Sequence, residues 1–209
     1  MAASYRGCFL SLMGCIYFCA FLSYYVQYPG LLGEDGLLPA RTFWEDIRRS
    51  RLKQVRMDEP LTLDFNLILG WWTHGFAGGA IKLPAVGLVP PGQAKNLRAF
   101  LKFPTWLWFL CDGRPSLQVD QALEGIALAS SVLAALAALG VHHVAIFALL
   151  YMNYLTLYLL GQRWLSFQWD IFLLETGAMM LLYCPFTSLR TKGAMPPAAW
   201  LLRALIVKF

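Results

Sequence analysis

Residues 8–28 contain no charged side chain, and that alone closes off most folds open to a chain of 209 residues. At ~1.5 Å of rise per residue, such a run crosses a ~30 Å hydrocarbon core as one helix. Arg6 precedes it, and Tyr24, Tyr25 and Tyr28 crowd its far end as interfacial aromatics do. The run is longer than the core of a secretory signal and lacks a clear small-x-small cleavage site, so it reads as a retained helix. The following segment is as restrictive. Residues 25–41 turn at Pro29-Gly30 and again at Gly33-Glu34-Asp35-Gly36, yet keep Leu31, Leu32, Leu37 and Leu38. Pro-Gly and Asp-Gly steps break helices and set tight turns. A segment that turns while staying apolar belongs at a bilayer interface, or between membrane helices where protein covers irregular backbone.

Hydrophobic residues make up 58% of the chain and charged residues 14%, with most of the charge between residues 41 and 114. Long, nearly uncharged stretches on either side of a polar region are the pattern of a multi-pass membrane protein. The net charge of +5 does not mark a nucleic-acid binder, because the basic residues are not interleaved with stacking aromatics. They read as loop charge near anionic lipid headgroups. Cys8, Cys15 and Cys19 share one predicted helix and Cys184 closes another, where cysteines act as small hydrophobes. There is no C-x-x-C, and three histidines supply no metal-ligand spacing, so neither metal nor cofactor is expected.

Residues 41–59 are mixed in charge and read as a solvated loop or a short surface helix. Residues 63–81 are apolar but carry Asp64, His74 and four glycines, with Lys82 directly after, which argues against a span. The second span is predicted over residues 122–141. Small residues repeat there at helical spacing, Ala127, Ser131 and Ala135 on one stripe and Ser130, Ala134 and Ala138 on the next. Such stripes let helix backbones approach closely in lipid. A third span follows His142-His143 over residues 144–160, with Tyr151, Tyr154, Leu155 and Tyr158 on one face. Asn153 lies off that face and is placed to bond to another helix.

The fourth span, residues 171–186, is short, holds Glu175 and ends at Pro185. Residues 198–209 begin a further apolar helix whose reach of ~18 Å is too short to cross. The expected fold is therefore all-α: a polytopic bundle of about four spans plus a partial fifth. It divides into residues 1–40 (first helix and leucine-rich turn), 41–118 (polar, irregular, with an interfacial helix), 119–186 (spans two to four) and 187–209 (basic loop and helix start).

The chemistry offered by these residues is sparse. Asp170 and Glu175 are five apart, which on a helix is ~140° around the axis, so they do not form a catalytic pair. Gln168 and Glu175 do share a face. An ionisable group inside a membrane segment is costly and marks function by default. With no nucleophile or metal set beside it, Glu175 reads as structural, either neutral or paired with Arg163 or Gln162. His142 and His143 read as turn residues. No G-x-S-x-G occurs, so the serine-hydrolase reading has no support, and no enzymatic activity is expected. Residues 75–79 (GFAGG) lack the Lys-Ser/Thr of a phosphate loop.

Two stretches resemble the lipase maturation factor family of endoplasmic-reticulum membrane proteins. One is residues 25–41, YVQYPGLLGEDGLLPAR, and the sharper is residues 166–177, SFQWDIFLLETG. Residues 103–110, FPTWLWFL, are similar to the step that precedes the family's second helix. The family-motif positions are Pro29, Gly30, Gly33, Gly36 and Pro39, then Gln168, Trp169, Asp170, Glu175, Thr176 and Gly177. The likeness covers residues 1–45 and then residue 100 onward. Residues 54–96 have no recognised counterpart and read as an insertion or an artefact of the gene structure.

The resemblance implies a cytosolic N-terminus, a lumenal first loop and a cytosolic side for Arg190, Lys192 and Arg203. It also implies a chaperone-like role, in which secreted dimeric lipases of the lipoprotein lipase kind fold and assemble in the endoplasmic reticulum. The implied partners are the lipid bilayer and those lipases. The family's soluble C-terminal domain, which engages the client, has no counterpart here, so the chain looks truncated relative to the resemblance. More distantly, the arrangement resembles the membrane domain of the vitamin K-dependent carboxylase, in which reading Glu175, Asp170 or His143 are acid-base groups. A third reading is a small transporter or lipid-binding scaffold that uses the tyrosine stripe and the polar groups at depth.

Overall fold

The computed structural model describes residues 2–54, 62–64, 80–82, 91–111 and 117–184. The uncharged run forms α1 (Ala2–Leu31), which carries Pro29 inside its last turn. The turn expected at Pro29-Gly30 is therefore displaced. A proline costs an i−4 bond and crowds the carbonyl of that residue, but in a closing turn little helix remains to break. The amides of Leu32 and Gly33 both donate to the Tyr28 carbonyl at 2.9 Å and end the helix there.

The chain then folds back on itself. Gly36 N–H donates to Gly33 O at 2.9 Å, Leu38 N–H to Leu31 O at 2.9 Å and Ala40 N–H to Leu32 O at 2.8 Å. The hairpin is so tight that a Cβ on Gly33 would lie 2.8 Å from the Pro29 carbonyl oxygen. Its leucines divide the work: Leu32 is buried in the protein while Leu37 is 70% exposed, pointing outward as an interfacial residue does.

Residues 40–54 are helical, α2 (Ala40–Gln54), so the surface-helix alternative holds. Ala40 and Trp44 are buried, and the exposed face carries Arg41–Glu34 at 2.6 Å and Arg49–Glu45 at 3.4 Å. Such exposed pairs add ~0.2–1 kcal/mol each, so Trp44 does more to dock this helix. It meets Trp108 edge-on with ring centroids 4.7 Å apart.

Strand β1 (Thr62–Asp64) pairs antiparallel with β2 (Ala80–Lys82), Thr62 opposite Lys82. This ribbon departs from a purely helical chain. Residues 65–79, with His74 and the GFAGG stretch, lie outside the described residues.

The region expected to be irregular contains two more helices, α3 (Pro91–Lys102) and the single turn α4 (Leu107–Leu110). Between them Trp108 Nε1 donates to the Phe103 carbonyl at 2.9 Å, and Trp106 N–H donates to Thr156 Oγ1 at 3.4 Å.

The second span forms α5 (Leu117–Ala138), which starts earlier than its apolar run and stops short of residue 141. The stop is at Gly140, whose φ of +105° suits glycine, and Val141 N–H closes the end by donating to Leu136 O at 3.1 Å. The stretch predicted as the third span forms α6 (Val144–Leu160), with the expected bounds, started by His143, whose Nδ1 accepts from Ala145 N–H at 3.1 Å. A 3-10 turn (Gln162–Leu165) leads to α7 (Gln168–Tyr183), which begins three residues ahead of the predicted fourth span. Residues 185–209 lie outside the described residues, and with them the predicted end at Pro185 and the further apolar helix.

α1 and α6 run one way, α5 and α7 the other. Tyr28 near the end of α1 bonds Asp120 at the start of α5, and Ser11 near the start of α1 bonds His142 beyond its end. Of the small-residue stripes, Ala127, Ser130, Ser131 and Ala134 are buried in the core, while Ala135 and Ala138 are half-buried. Asn153 donates to Ser130 Oγ at 2.8 Å, the interhelical bond foreseen for it. Among the described residues two helices are long and apolar enough to cross a membrane, Arg6–Leu31 at mean hydropathy 1.7 and Val119–Ala138 at 1.5. α6 is apolar but shorter.

Candidate functional site: tyrosine–aspartate pairs and a cavity at one end of the bundle

The end of the bundle where α1 stops and α5 and α7 start gathers the polar groups. Tyr28 Oη donates to Asp120 Oδ1. Tyr154 Oη donates to Asp170 Oδ1 at 2.7 Å, and Asp170 Oδ2 accepts the Phe167 amide at 3.3 Å. Asp170 occupies the third position of α7, where the helix dipole favours a negative charge and an acid reaches back to the N-cap amide. Phe167 has no side chain to return the bond, so the capping box is half made. The carboxylate spends its second oxygen on α6 and ties two helices together.

Beside Asp170 a cavity of ≈ 650 Å³ separates α1 from α7. Met13, Ala20 and Tyr24 line it from α1, Thr176 and Leu173 from α7, with Tyr154 and Trp164 also on its wall. Three of its lining residues carry buried polar atoms with no hydrogen bond: Tyr24 Oη, Trp164 Nε1 and Thr176 Oγ1. Thr176 and Tyr24 are only 6% and 7% exposed.

The motif positions divide sharply. Asp170 and Thr176 come together on the cavity, while Glu175 is buried on a side that does not line it. That divergence is the one expected from five residues of helix. Gly177 packs where a Cβ would collide with the Tyr17 hydroxyl and sit 3.1 Å from Tyr151 Cδ2, so it seats α7 on α1 and α6. Gln168 and Trp169 are exposed. Gly33 and Gly36 shape the hairpin, Gly30 has open space around it, and the Pro39 carbonyl accepts from Thr42 Oγ1 at 2.9 Å. Gln162, considered as a partner for Glu175, donates to the Leu38 carbonyl at 3.3 Å and pins the hairpin to the 3-10 turn; Arg163, the other, is exposed.

Sequence reasoning did not find Asp120 or Trp164, and it read Tyr24 only as an interfacial aromatic. The i, i+4 spacing of Tyr24 and Tyr28 was a signal that both rings lie on one face, but nothing local says that an acid in α5 meets them.

At the opposite end, Ser11 Oγ and His142 Nε2 share a hydrogen bond of 3.0 Å. Partial burial holds the His142 pKa below its ordinary value, with a smaller opposing effect from the Ala137 backbone. Among the described residues no three His, Cys, Asp or Glu side chains stand close enough to hold a metal ion. The arrangement at the cavity is one of hydrogen-bonded tyrosine–aspartate clamps around an apolar space.

The family described as "Lipase maturation factor transmembrane domain" matches residues 4–70 and 73–209. These matched ranges take in residues 54–70 and 73–96 and break only at 71–72, within the stretch that had no recognised counterpart. Lipase maturation factor 2 of Xenopus laevis is 31% identical over 210 residues, covering 97% of this chain and 23% of that protein. The human lipase maturation factor 2 is 30% identical over 221 residues, covering 97% and 24%. Lipase maturation factor 1 of Bos taurus is 26% identical over 186 residues, covering 88% and 25%. The chain thus spans about a quarter of the length of these relatives. No solved structure matches. With family likeness from residue 4 to residue 209 and the apolar helices it requires, this chain belongs to the lipase maturation factor transmembrane-domain family.

Proposed function

We propose that this chain is a multi-pass membrane bundle of the endoplasmic reticulum, with four spans and the start of a fifth, which assists folding and assembly of secreted dimeric lipases. The match along residues 4–70 and 73–209 carries the reading, since its relatives bear the name lipase maturation factor. The antiparallel course of α1, α5, α6 and α7 supports the span count. On this reading α6 and α7, at 17 and 16 residues, cross where the protein thins or distorts the bilayer around them. The hairpin, α2 and the β-ribbon then lie on the lumenal side, where a client enters.

The test uses cells lacking the endogenous full-length factor and a secreted dimeric lipase as reporter. Full-length factor in which residues 1–209 are present restores secreted lipase activity; the same factor with these residues replaced by unrelated spans of equal number does not. Equal rescue by both would reduce this portion to an anchor. Glu175→Gln separates a structural acid from a chemical one: accumulation and rescue fall together if the acid is architectural. Loss of rescue with undiminished accumulation would contradict that.

A further inference from the structure

We propose that the cavity between α1 and α7 is a binding site for an acyl lipid, entered from the side and held through an ester or carboxyl oxygen. The inference does not depend on the lipase role. The cavity's size, ≈ 650 Å³, falls within the span of ligand sites, and its lining is mainly apolar with a few polar groups. Its rim is greasy too. Ile16 on α1 and Trp169 and Phe172 on α7 line it and are among the exposed large hydrophobics. In a helical membrane protein that surface faces hydrocarbon, so a water-soluble ligand has no route in from this side.

The polar inventory says more about the occupant. Tyr28 and Tyr154 spend their hydroxyl protons on Asp120 and Asp170. Tyr24 Oη, Trp164 Nε1 and Thr176 Oγ1 have no partner although their atoms are buried. An indole N–H can only donate, and a hydroxyl buried without an acceptor loses most of what it gave up in leaving water. The missing partner is therefore an acceptor brought by a molecule that is otherwise hydrocarbon. A further transmembrane helix does not fit, because its carbonyls are already spent on its own backbone. An acyl chain ending in an ester or carboxylate supplies both features.

The test reconstitutes the 209-residue chain in phosphatidylcholine vesicles carrying a diazirine on the acyl chain, in one arm as phosphatidylcholine and in the other as free fatty acid. Cross-linked peptides are mapped by mass spectrometry. Label is expected to concentrate on cavity-lining positions of α1 and α7, to be competed by unlabelled acyl lipid, and to drop about tenfold in Ala20→Trp, which fills the space. Label in both arms means that the acyl carboxyl group is what is read; label in one names the source. Thr176→Val keeps the side-chain shape and removes the donor. It is expected to melt no lower than wild type in lipid-free detergent, and to lose the rise in Tm that added lipid gives the wild-type chain. Should Ala20→Trp fail to fold, this variant decides the matter. The proposal is overturned by equal label on the exposed Leu128 and Val132 of α5, by label that excess lipid does not compete, or by an undiminished lipid-induced rise in Thr176→Val. Cross-links from a photo-reactive amino acid placed at position 20 to residues 198–209, showing that the chain fills the space itself, also overturn it.

Discussion

α1 meets α5 and α7 in opposite ways. Toward α5 it offers Gly14, where a Cβ would sit 2.5 Å from the Ala138 backbone nitrogen, so the two backbones touch. Toward α6 and α7 it offers Tyr17, Phe21 and Tyr24. The rings of Tyr17 and Phe21 meet Tyr154 edge-on at 6.1 and 5.7 Å, and beyond them the helices stand apart around the cavity. In lipid there is little hydrophobic drive to push helices together, so dispersion between closely fitted surfaces has to do it. Small residues give that fit everywhere along a stripe. Aromatic residues give it only where rings interlock, and they leave space elsewhere. One face of α1 is built for permanence and the other retains room.

Putting the same bulk on both faces breaks that contrast if anything does. Gly14→Leu has to push the touching backbones apart and is expected to cost about 3 kcal/mol, read as reversible unfolding in mixed detergent. Ala20→Leu, on the cavity wall, is expected to change stability by no more than ~0.5 kcal/mol. Similar losses at the two sites would dissolve the distinction between a sealed face and an open one.

The clamp beside the cavity comes next. Asp170→Ala strands the buried Tyr154 hydroxyl and uncaps α7, for a loss of about 2 kcal/mol. Tyr154→Phe is expected to cost less, and the double variant little more than Asp170→Ala alone. A double-mutant cycle measures this; additive losses would mean that the 2.7 Å bond contributes nothing of its own.

Where α5 meets α6, Asn153→Ala removes the bond to Ser130 and is expected to cost ~0.6 kcal/mol, the usual worth of an interhelical hydrogen bond in membranes.

The smallest effect is one of pH. Burial lowers the His142 pKa from its ordinary 6.5, so above that value the residue is neutral in both folded and unfolded chains and costs nothing. Below it the unfolded chain takes up a proton that the folded one refuses, so stability declines as pH falls until the folded-state pKa is passed. His142→Gln, titrated alongside the wild type, is expected to flatten that portion of the curve. An unchanged slope would assign the acid sensitivity to other groups.

Much of this architecture could be read along the chain because it rests on local causes. The length of an uncharged run sets α1, and Val144–Leu160 emerged with its predicted bounds because His143 caps one end and Gly161 follows the other. Asn153, a lone amide on an apolar helix, had nowhere to go but a neighbouring helix. The misplaced turn at Pro29-Gly30 shows the weakness of local rules, since a helix-breaking dipeptide was absorbed by an already ending helix. Glu175 illustrates a subtler limit: its burial was foreseeable, but spacing alone could not say which helices would surround it.

Residue order by itself established a membrane protein with apolar helices, a compact leucine-rich hairpin and a stripe of small residues, because hydrophobic length, turn chemistry and helical period all act over a few residues. It could not decide that Tyr28 would find Asp120 at a separation of 92 residues, or that Gln162 would pin Leu38 across 124. Nor could it show that Tyr24, Trp164 and Thr176 would line one space. Those pairings depend on the direction and spacing of whole helices, which are set only when Gly14 closes one face of α1 and the aromatic residues hold the other open.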